Sequence, residues 1–261
     1  MKIALVSLNQ LWEDKSSNIN QISRLMLEII KESPDLVVFP EMTLTGFTMK
    51  GKDLAEKFEN SATLNYFKEL AHLHEVDIAF GMIELHDMMP TNNLVVVTKT
   101  NEVLLNYAKM HPFSYSKEDQ YYLKGHELGL FNYKDEIWGG SICYDLRFPE
   151  LYQALSKKAK VILNIANWPK RRVEDWRLLL HARALENQCF MIGVNRTGTD
   201  GKGLEYESSS MVIRPDGKNL EPVKTDDVVK YYEIDIHEVD EYRQLFPVKN
   251  DRRIELYKEL L

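Results

Sequence analysis

The sequence predicts a layered α/β fold (α+β in its layering), in which helices cover β-sheets. Short apolar runs rich in β-forming residues alternate with longer segments of helical periodicity. Neither a Pro/Ser-rich linker nor a low-complexity tract interrupts this alternation. We therefore expect residues 1–261 to form a single domain, which is long enough to bury a sizeable core.

The N-terminal half supplies strands and helices in turn. Residues 17–31 are predicted to be helical because their apolar side chains recur at three- and four-residue spacing. Further along the chain, Pro40 ends the apolar run of the predicted strand 35–40. The segment 92–109 is predicted to form two strands around a turn at Lys99-Thr100-Asn101. The other predicted elements of this half are strands at 2–8, 35–40 and 76–85 and a helix at 61–75.

The C-terminal half continues the same alternation. A hairpin is predicted through 129–143, and a helix follows at 150–158. Strands at 160–167 and 189–195 flank a helix at 174–187. We expect two final strands, 209–217 and 228–236, to meet around a turn, and a charged helical tail to end the chain.

Composition and charge exclude several classes of partner. The formal net charge of -7 argues against nucleic acid or an anionic membrane surface. Cys143 and Cys189 are too few for a disulfide framework and lack metal-site spacing. No apolar run is long enough to span a bilayer, and the N-terminus lacks a signal-peptide pattern. We expect a cytoplasmic protein that needs no metal.

Three chemically useful residues follow buried-strand candidates directly: Glu41, Lys109 and Cys143. In open α/β sheets, ligands bind outside the carboxyl ends of strands, so these residues are candidates for one site. Each also has an ordinary structural interpretation. Glu41 and Lys109 could be ordinary solvated surface charges. Cys143 could be a small buried apolar side chain, which is the interpretation that suits Cys189 in its apolar run.

Longer motifs around these residues resemble the nitrilase superfamily of carbon–nitrogen hydrolases over nearly the whole chain. Three blocks occur in the order and spacing of that family, and the last block resembles the omega-amidase branch, which acts on ω-amides of 2-oxo acids. ANWP (166–169) and NRTGTDG (195–201) add to that likeness. The three blocks are FPEMTLTGF (39–47), YAKMHPF (107–113) and GGSICYDLRFPE (139–150).

The resemblance implies a four-layer α-β-β-α sandwich and a homodimer paired through helices, with the tail 251–261 crossing the interface. It also implies a Glu41, Lys109 and Cys143 triad, with Glu118 as a second carboxylate that could hold the Lys109 ammonium or orient the attacking water. The charged neighbours Lys117 and Asp119 are equally typical of a solvated loop. A thiol with a pKa of roughly 8.5 is only partly ionised at neutral pH, so it needs a base, here Glu41. Lys109 and the backbone N–H of Tyr144 would stabilise the oxyanion. No metal or organic cofactor is required.

Five residues are candidates for substrate binding. Arg147 could bind a carboxylate in bidentate fashion, or could pair structurally with Asp145 or Glu150. Trp168, Phe47 and Phe113 could line the pocket, although such aromatic residues are more often core. Tyr144 joins this group through its position beside Cys143.

Other residues leave weaker alternatives open. Arg171, Arg172 and Arg196 are weaker anion-binding candidates. His111 invites a Cys–His mechanism, but Cys143 lacks the local signature of papain-type enzymes.

The favoured function is hydrolysis of a small carboxylate-bearing amide, such as 2-oxoglutaramate or 2-oxosuccinamate, through a thioester. A second hypothesis keeps the triad and changes the substrate to an N-carbamoyl amine or a general aliphatic amide. A third hypothesis, from another class, is a nitrilase-like scaffold that binds or assembles without turnover. The intact set of three residues argues against that last alternative, because binding alone needs none of them.

Overall fold

Two β-sheets packed face to face, with helices on both outer faces, form the molecule. The computed structural model describes residues 1–260. The strands are β1 (Lys2–Val6), β2 (Leu36–Val38), β3 (Asp77–His86), β4 (Met89–Val97), β5 (Val103–Ala108), β6 (Gly129–Tyr133), β7 (Glu136–Ile142), β8 (Val161–Ala166), β9 (Phe190–Asn195), β10 (Gly198–Thr199), β11 (Glu205–Tyr206), β12 (Met211–Ile213), β13 (Asn219–Leu220), β14 (Lys224–Thr225) and β15 (Val229–Glu233). The α-helices are α1 (Lys15–Ile29), α2 (Gly51–Leu54), α3 (Ala62–His74), α4 (Pro149–Leu155), α5 (Val173–Asn187), α6 (His237–Leu245) and α7 (Ile254–Leu260).

The first sheet has the strand order β14-β15-β1-β2-β3-β4-β5, and the second has β13-β12-β9-β8-β7-β6. Each sheet has three parallel strands, β1-β2-β3 in the first and β7-β8-β9 in the second. The remaining pairings are antiparallel. The small β10-β11 hairpin stands apart from both sheets.

Three apolar clusters hold the layers together. The central cluster joins the facing sides of the two sheets, where Leu94 of the first sheet and Trp138 of the second are fully buried. A second cluster packs α1 and α3 on the first sheet, and a third packs α4 and α5 on the second. Alternate strand residues supply the facing clusters because side chains point to opposite sides along a strand. The predicted α-β-β-α order of four layers is confirmed.

The two outer helices on the first sheet, α1 and α3, begin at polar caps that their sequences supply. The Asp14 side chain accepts a hydrogen bond from the backbone N–H of Ser17, which caps α1. The Ser61 side chain does the same for Leu64 at the start of α3. On α1, the apolar face that includes Ile22 and Met26 is fully buried, as the spacing predicts.

Most predicted elements are present within a few residues of their expected bounds. The turn at Lys99-Thr100-Asn101 is confirmed, and Asn101 takes the left-handed conformation there with φ of 68°. The expected pairing of the two final strands is wrong. Strand β12 pairs with β9 and β13 in the second sheet, whereas β15 pairs with β1 and β14 in the first. The physical reason is that each final strand forms its hairpin with a short local strand, so the chain crosses between sheets before β15.

After β15 the chain continues as α6, a short 3₁₀ turn and α7, and the tail 251–261 contains the end of that turn and α7. Within the chain, the Arg252 guanidinium donates a hydrogen bond to the backbone carbonyl of Glu186 at 2.7 Å. Leu261, the last residue of the predicted tail, is outside the described residues. Across residues 1–260, no helix has both the length and the apolar character required to cross a membrane.

Candidate active site

The first site residue, Glu41, lies in a buried turn directly after β2. The Gln10 side-chain amide clamps this turn by donating to the backbone carbonyls of Glu41, Met42 and Thr43 at 2.9, 2.9 and 3.2 Å. The turn also packs closely against Gly81 of β3. A Cβ added at Gly81 would lie 2.3 Å from the Met42 backbone N. Only glycine permits this approach without a backbone shift. The Glu41 carboxylate is therefore fixed before any substrate arrives.

Lys109 follows β5 and lies between two carboxylates. Its Nζ donates to Glu41 Oε1 at 3.0 Å and to the Glu118 oxygens at 2.9 and 3.1 Å. The relative exposures of the three side chains are 1% for Lys109 and 0% for each glutamate. Buried charges require partners of this kind, so the three groups form one ion cluster.

Asn92 completes this cluster from the neighbouring strand β4. Its Nδ2 donates to Glu41 Oε1 at 2.7 Å and to Glu118 Oε1 at 3.1 Å. Sheet pairing sets the position, because the Lys109 backbone N–H donates to the Asn92 carbonyl at 2.8 Å. The Asn92 amide thus links two like-charged groups that would otherwise repel each other.

Cys143 begins the 3₁₀ turn Cys143–Arg147 directly after β7. It has φ of 46°, a left-handed backbone conformation that is unfavourable for a residue with a side chain. The buried Asp145 carboxylate holds this turn. It accepts hydrogen bonds from the Ile142 backbone N–H at 3.0 Å and from the Tyr107 hydroxyl at 2.8 Å. Such strain is typical of residues that a site must present in one orientation.

Burial and neighbouring charges shift the proton affinities of these groups. Burial alone would lower the pKa of Lys109, but the Glu118 and Glu41 carboxylates outweigh it and raise that pKa well above its usual range. Burial raises the pKa of Glu118, against the opposing effect of Lys109. Burial, followed by the Glu41 charge, raises the pKa of Cys143 well above its usual range, and Lys109 opposes this only in part.

These directions define what the cluster can do chemically. The thiol of Cys143 is protonated at neutral pH, so it becomes a nucleophile only when a base takes its proton. The buried ammonium of Lys109 keeps its charge and can stabilise a developing oxyanion. A carboxylate base, a fixed cation and a thiol together suit acyl transfer.

Asn167, which follows β8, ties the second sheet to Glu41 of the first. Its backbone N–H donates to Glu41 Oε2 at 2.8 Å, and its Nδ2 donates to the Glu41 carbonyl at 2.6 Å. Both Glu41 oxygens therefore have partners, and these partners come from both sheets. This arrangement fixes the carboxylate relative to the strand end that bears Cys143.

A pocket of about 130 Å³ opens over Cys143. All five residues predicted to bind substrate line it: Phe47, Phe113, Tyr144, Arg147 and Trp168. Cys143, Lys109 and Asn167 lie in the same wall, and the remaining lining residues are Tyr115, Ser116, Pro169, Arg171, Arg172, Leu204 and Tyr206. The pocket has the dimensions for a small molecule. Glu41 and Glu118 are fully buried and are not part of its lining surface.

Three weaker expectations need correction. The ion-pair partner of Arg147 is Asp175, at 2.7 Å, instead of Asp145 or Glu150, because Asp145 is fully buried with its own donors. Arg196 is a structural residue rather than an anion site, since it is fully buried and donates to the Gln10 carbonyl at 3.0 Å. His111 does not line the pocket.

His111 is engaged elsewhere, which removes its role as a base for Cys143. Its Nδ1 lies 2.8 Å from Asp145 Oδ1. Its ring also stacks on Phe148 with ring centroids 3.8 Å apart. The imidazole therefore supports the turn that presents Cys143.

Sequence analysis missed four polar residues that hold the site: Gln10, Asn92, Asp145 and Asn167. A signal existed for Asn92 and Asn167, since an amide within or directly after an apolar strand must find a buried partner. Gln10 and Asp145 gave no such signal, because their partners come from distant parts of the chain.

The two-sheet fold gathers a thiol, a buried carboxylate and a buried lysine at strand ends beside one pocket, a set of groups that suits the hydrolase class of enzymes. The sequence profile of the carbon–nitrogen hydrolase family matches residues 2–244. The chain belongs to that family, the nitrilase superfamily, and is an enzyme that hydrolyses amide carbon–nitrogen bonds. The predicted superfamily and enzyme class are confirmed.

Known relatives cover almost the whole chain. The 2-oxoglutaramate amidase of Bacillus subtilis is 32% identical over 93% of both chains. The omega-amidase YafV of Escherichia coli K12 is 29% identical over 96% of both chains. Among solved structures, a CN-hydrolase superfamily protein from Xanthomonas campestris, which has an arsenic adduct in its active site, superposes with a TM-score of 0.89. It is 29% identical and covers 97% of each chain.

The Lys109→Met variant tests the ion cluster through stability. Removal of the cation leaves two buried carboxylates side by side, so we expect a loss of about 3–5 kcal/mol in the free energy of unfolding at pH 7. Without Lys109, the pKa of Glu118, already raised by burial, rises further. A raised folded-state pKa means that the penalty is absent at low pH and grows as pH rises through that pKa.

The measurement is urea unfolding of both proteins across pH. The deficit of the variant should shrink as pH falls toward the ordinary carboxyl pKa of 4.5. Lys258→Met, which removes an exposed pair with Glu255, serves as the control and should change stability by less than about 0.5 kcal/mol. A deficit for Lys109→Met that stays constant with pH would contradict the cluster.

Proposed function

We propose that the chain is a cysteine-dependent amidase of the omega-amidase type, which hydrolyses a small amide bearing a carboxylate, such as 2-oxoglutaramate or 2-oxosuccinamate. One observation carries the proposal: three guanidinium groups, those of Arg147, Arg171 and Arg172, line the pocket over Cys143 together with no carboxylate, and within residues 1–260 only Arg147 of the three forms an ion pair, with Asp175. A pocket of that charge favours an anionic substrate. The name of the Bacillus relative, a 2-oxoglutaramate amidase, agrees with this choice.

The first half-reaction forms a thioester. Glu41 takes the thiol proton as Cys143 Sγ attacks the amide carbonyl carbon. The Lys109 ammonium and the backbone N–H of Tyr144 donate hydrogen bonds to the tetrahedral oxyanion. One such donor lowers the activation barrier by about 3–4 kcal/mol. Glu41 then passes the proton to the amide nitrogen, the carbon–nitrogen bond breaks, and ammonia leaves.

The second half-reaction restores the thiol. Water attacks the thioester carbonyl while Glu41 accepts its proton, and collapse of the intermediate releases the carboxylic acid and returns the proton to sulfur. Glu118 holds the Lys109 ammonium in place throughout, through two hydrogen bonds. The cycle consumes one water, and the chain's own residues carry every proton.

The proposal is tested by ammonia release from a panel of substrates. Wild type should act on 2-oxoglutaramate or 2-oxosuccinamate, and Cys143→Ala should lower kcat by at least about 10³-fold because no other group can form the acyl intermediate. Cys189→Ala is the matched control. Cys189 is fully buried outside the pocket, so its loss should leave kcat unchanged.

The same panel separates the alternatives. Preference for N-carbamoyl amines or for uncharged aliphatic amides would overturn the substrate class and keep the triad. Full activity of Cys143→Ala would overturn the mechanism. Absence of turnover on every amide, with an inert Cys143 thiol, would favour a binding or assembly role.

We also propose that two protomers pair through the outer face of α5. Leu178 and Leu185 lie two turns apart on that helix and are 70% and 53% exposed. Leu245 and Phe246, at the end of α6, are also exposed. Apolar side chains on one outer face are typical of an interface between subunits. A second copy of the chain is the partner that the family resemblance implies.

Light scattering at several concentrations tests this pairing. Wild type should have the mass of two chains, and the double variant Leu178→Glu/Leu185→Glu should have the mass of one. Leu73→Glu is the control, since Leu73 is 73% exposed on α3 in the opposite outer layer. A monomeric wild type, or a dimeric double variant, would contradict the proposal.

Two broader expectations remain proposals of the same kind. We propose that residues 1–261 act as one catalytic domain, because the site draws on strand ends of both sheets. We also propose that the enzyme works in the cytoplasm, in keeping with its two free thiols.

A further inference from the structure

We propose that Arg172, rather than Arg147, is the specificity-determining residue that binds the substrate carboxylate. This inference rests on the proposed amidase function and assigns one part of its pocket. It comes from comparing the four cations that line the pocket: Lys109, Arg147, Arg171 and Arg172. A cation without a protein partner is the one available to a ligand carboxylate.

Two of the four cations are already neutralised. Lys109 is held between Glu41 and Glu118. The Arg147 NH2 lies 2.7 Å from Asp175 Oδ2, and its guanidinium packs 5.0 Å from the centroid of the Trp168 ring. Because the Arg147 guanidinium is already paired and stacked, it forms part of the pocket wall and binds a ligand anion only weakly.

The other two cations differ in exposure. Arg171 is exposed, so water screens its charge. Arg172 is partly buried, and within residues 1–260 its guanidinium forms neither an ion pair nor a hydrogen bond with a carboxylate. A partly buried guanidinium without an anion is unfavourable, and a ligand carboxylate would supply the missing bidentate partner.

Local structure holds Arg172 at the pocket wall. It ends the 3₁₀ turn Lys170–Arg172, and its backbone carbonyl accepts a hydrogen bond from Trp168 Nε1 at 2.7 Å. Its guanidinium lies 5.4 Å from the centroid of the Phe113 ring. The backbone N–H of Phe113 in turn donates to Glu118 Oε2. Phe113 therefore connects the proposed anchor to the ion cluster beside Cys143.

The electrostatic environment agrees with this geometry. Burial lowers the pKa of Arg172, and the positive charges of Arg171 and Arg147 lower it further, whereas the Cys143 sulfur, when ionised, and the Asp175 carboxylate have the opposite effect. Arg172 thus lies within electrostatic range of Cys143 and beside two guanidinium groups that repel its charge, while the nearby Asp175 carboxylate is already paired with Arg147. A bound carboxylate relieves that repulsion, and the amide end of the same small molecule can then reach Cys143.

Steady-state kinetics of Arg172→Met give the first test. For 2-oxoglutaramate, we expect KM to rise about 100-fold with a much smaller change in kcat, because a ground-state contact is lost. For a neutral aliphatic amide of similar length, kcat/KM should be unchanged or higher. Arg172→Lys should recover part of the loss, because it restores charge without the bidentate geometry.

Lys170→Met is the matched control. It removes the same charge from the same turn, but Lys170 does not line the pocket and is exposed near Glu205. It should leave KM for both amides within about 2-fold of wild type. If Lys170→Met and Arg172→Met changed KM equally, the effect would come from net charge alone, and the inference would be overturned.

Alkylation of Cys143 gives a second test that needs no turnover. Iodoacetate carries a carboxylate and iodoacetamide does not, so the ratio of their rates reports the anion affinity of the pocket. Arg172→Met should lower the iodoacetate-to-iodoacetamide ratio about 10-fold, and Lys170→Met should leave it unchanged. The thermal midpoint of each variant identifies any loss of folding.

The two tests separate failure of the inference from failure of the proposed function. Wild-type turnover of 2-oxoglutaramate with an unchanged KM and alkylation ratio in Arg172→Met would overturn the Arg172 assignment alone. No wild-type turnover of carboxylate-bearing amides, with an alkylation ratio that depends on Arg172, would overturn the substrate class and support Arg172 as an anion anchor.

Discussion

The site depends on one interaction, the ion cluster in which the Lys109 ammonium lies between the carboxylates of Glu41 and Glu118. None of the three side chains is more than 1% exposed. Removal of such charges from water is unfavourable unless each has several partners, so the surrounding hydrogen bonds are a condition for folding as well as for chemistry. The cluster keeps a cation and two carboxylates near a thiol whose pKa burial raises.

The two-sheet fold meets this requirement by bringing strand ends together. Glu41 and Lys109 come from strand ends of the first sheet, and Asn167 and Cys143 come from strand ends of the second. The hydrogen bonds from Asn167 to Glu41 cross between the sheets. Packing of the two sheets, which the apolar cluster around Trp138 maintains, therefore sets the distance between the Glu41 carboxylate and the Cys143 thiol.

Local sequence patterns predicted what depends on local structure. The alternation of strands and helices, the turn at 99–101 and the residues at strand ends follow from periodicity and from neighbours in the chain. Partners chosen by tertiary packing could not be predicted in this way. The Gln10 clamp, the Asn92 link and the Arg147 pair with Asp175 join segments that the sequence separates. The pairing of the final strands failed for the same reason, since their neighbours lie in different sheets.

The central claim is that Cys143 attacks the amide and carries the acyl group while ammonia departs. Its most direct test is mass spectrometry of enzyme quenched with acid within the first turnovers of 2-oxoglutaramate, followed by peptide mapping. The account predicts that the peptide containing Cys143 gains the mass of the substrate less ammonia. Ammonia release with the acyl group on Cys189, or with no acylated peptide at any quench time, would contradict it.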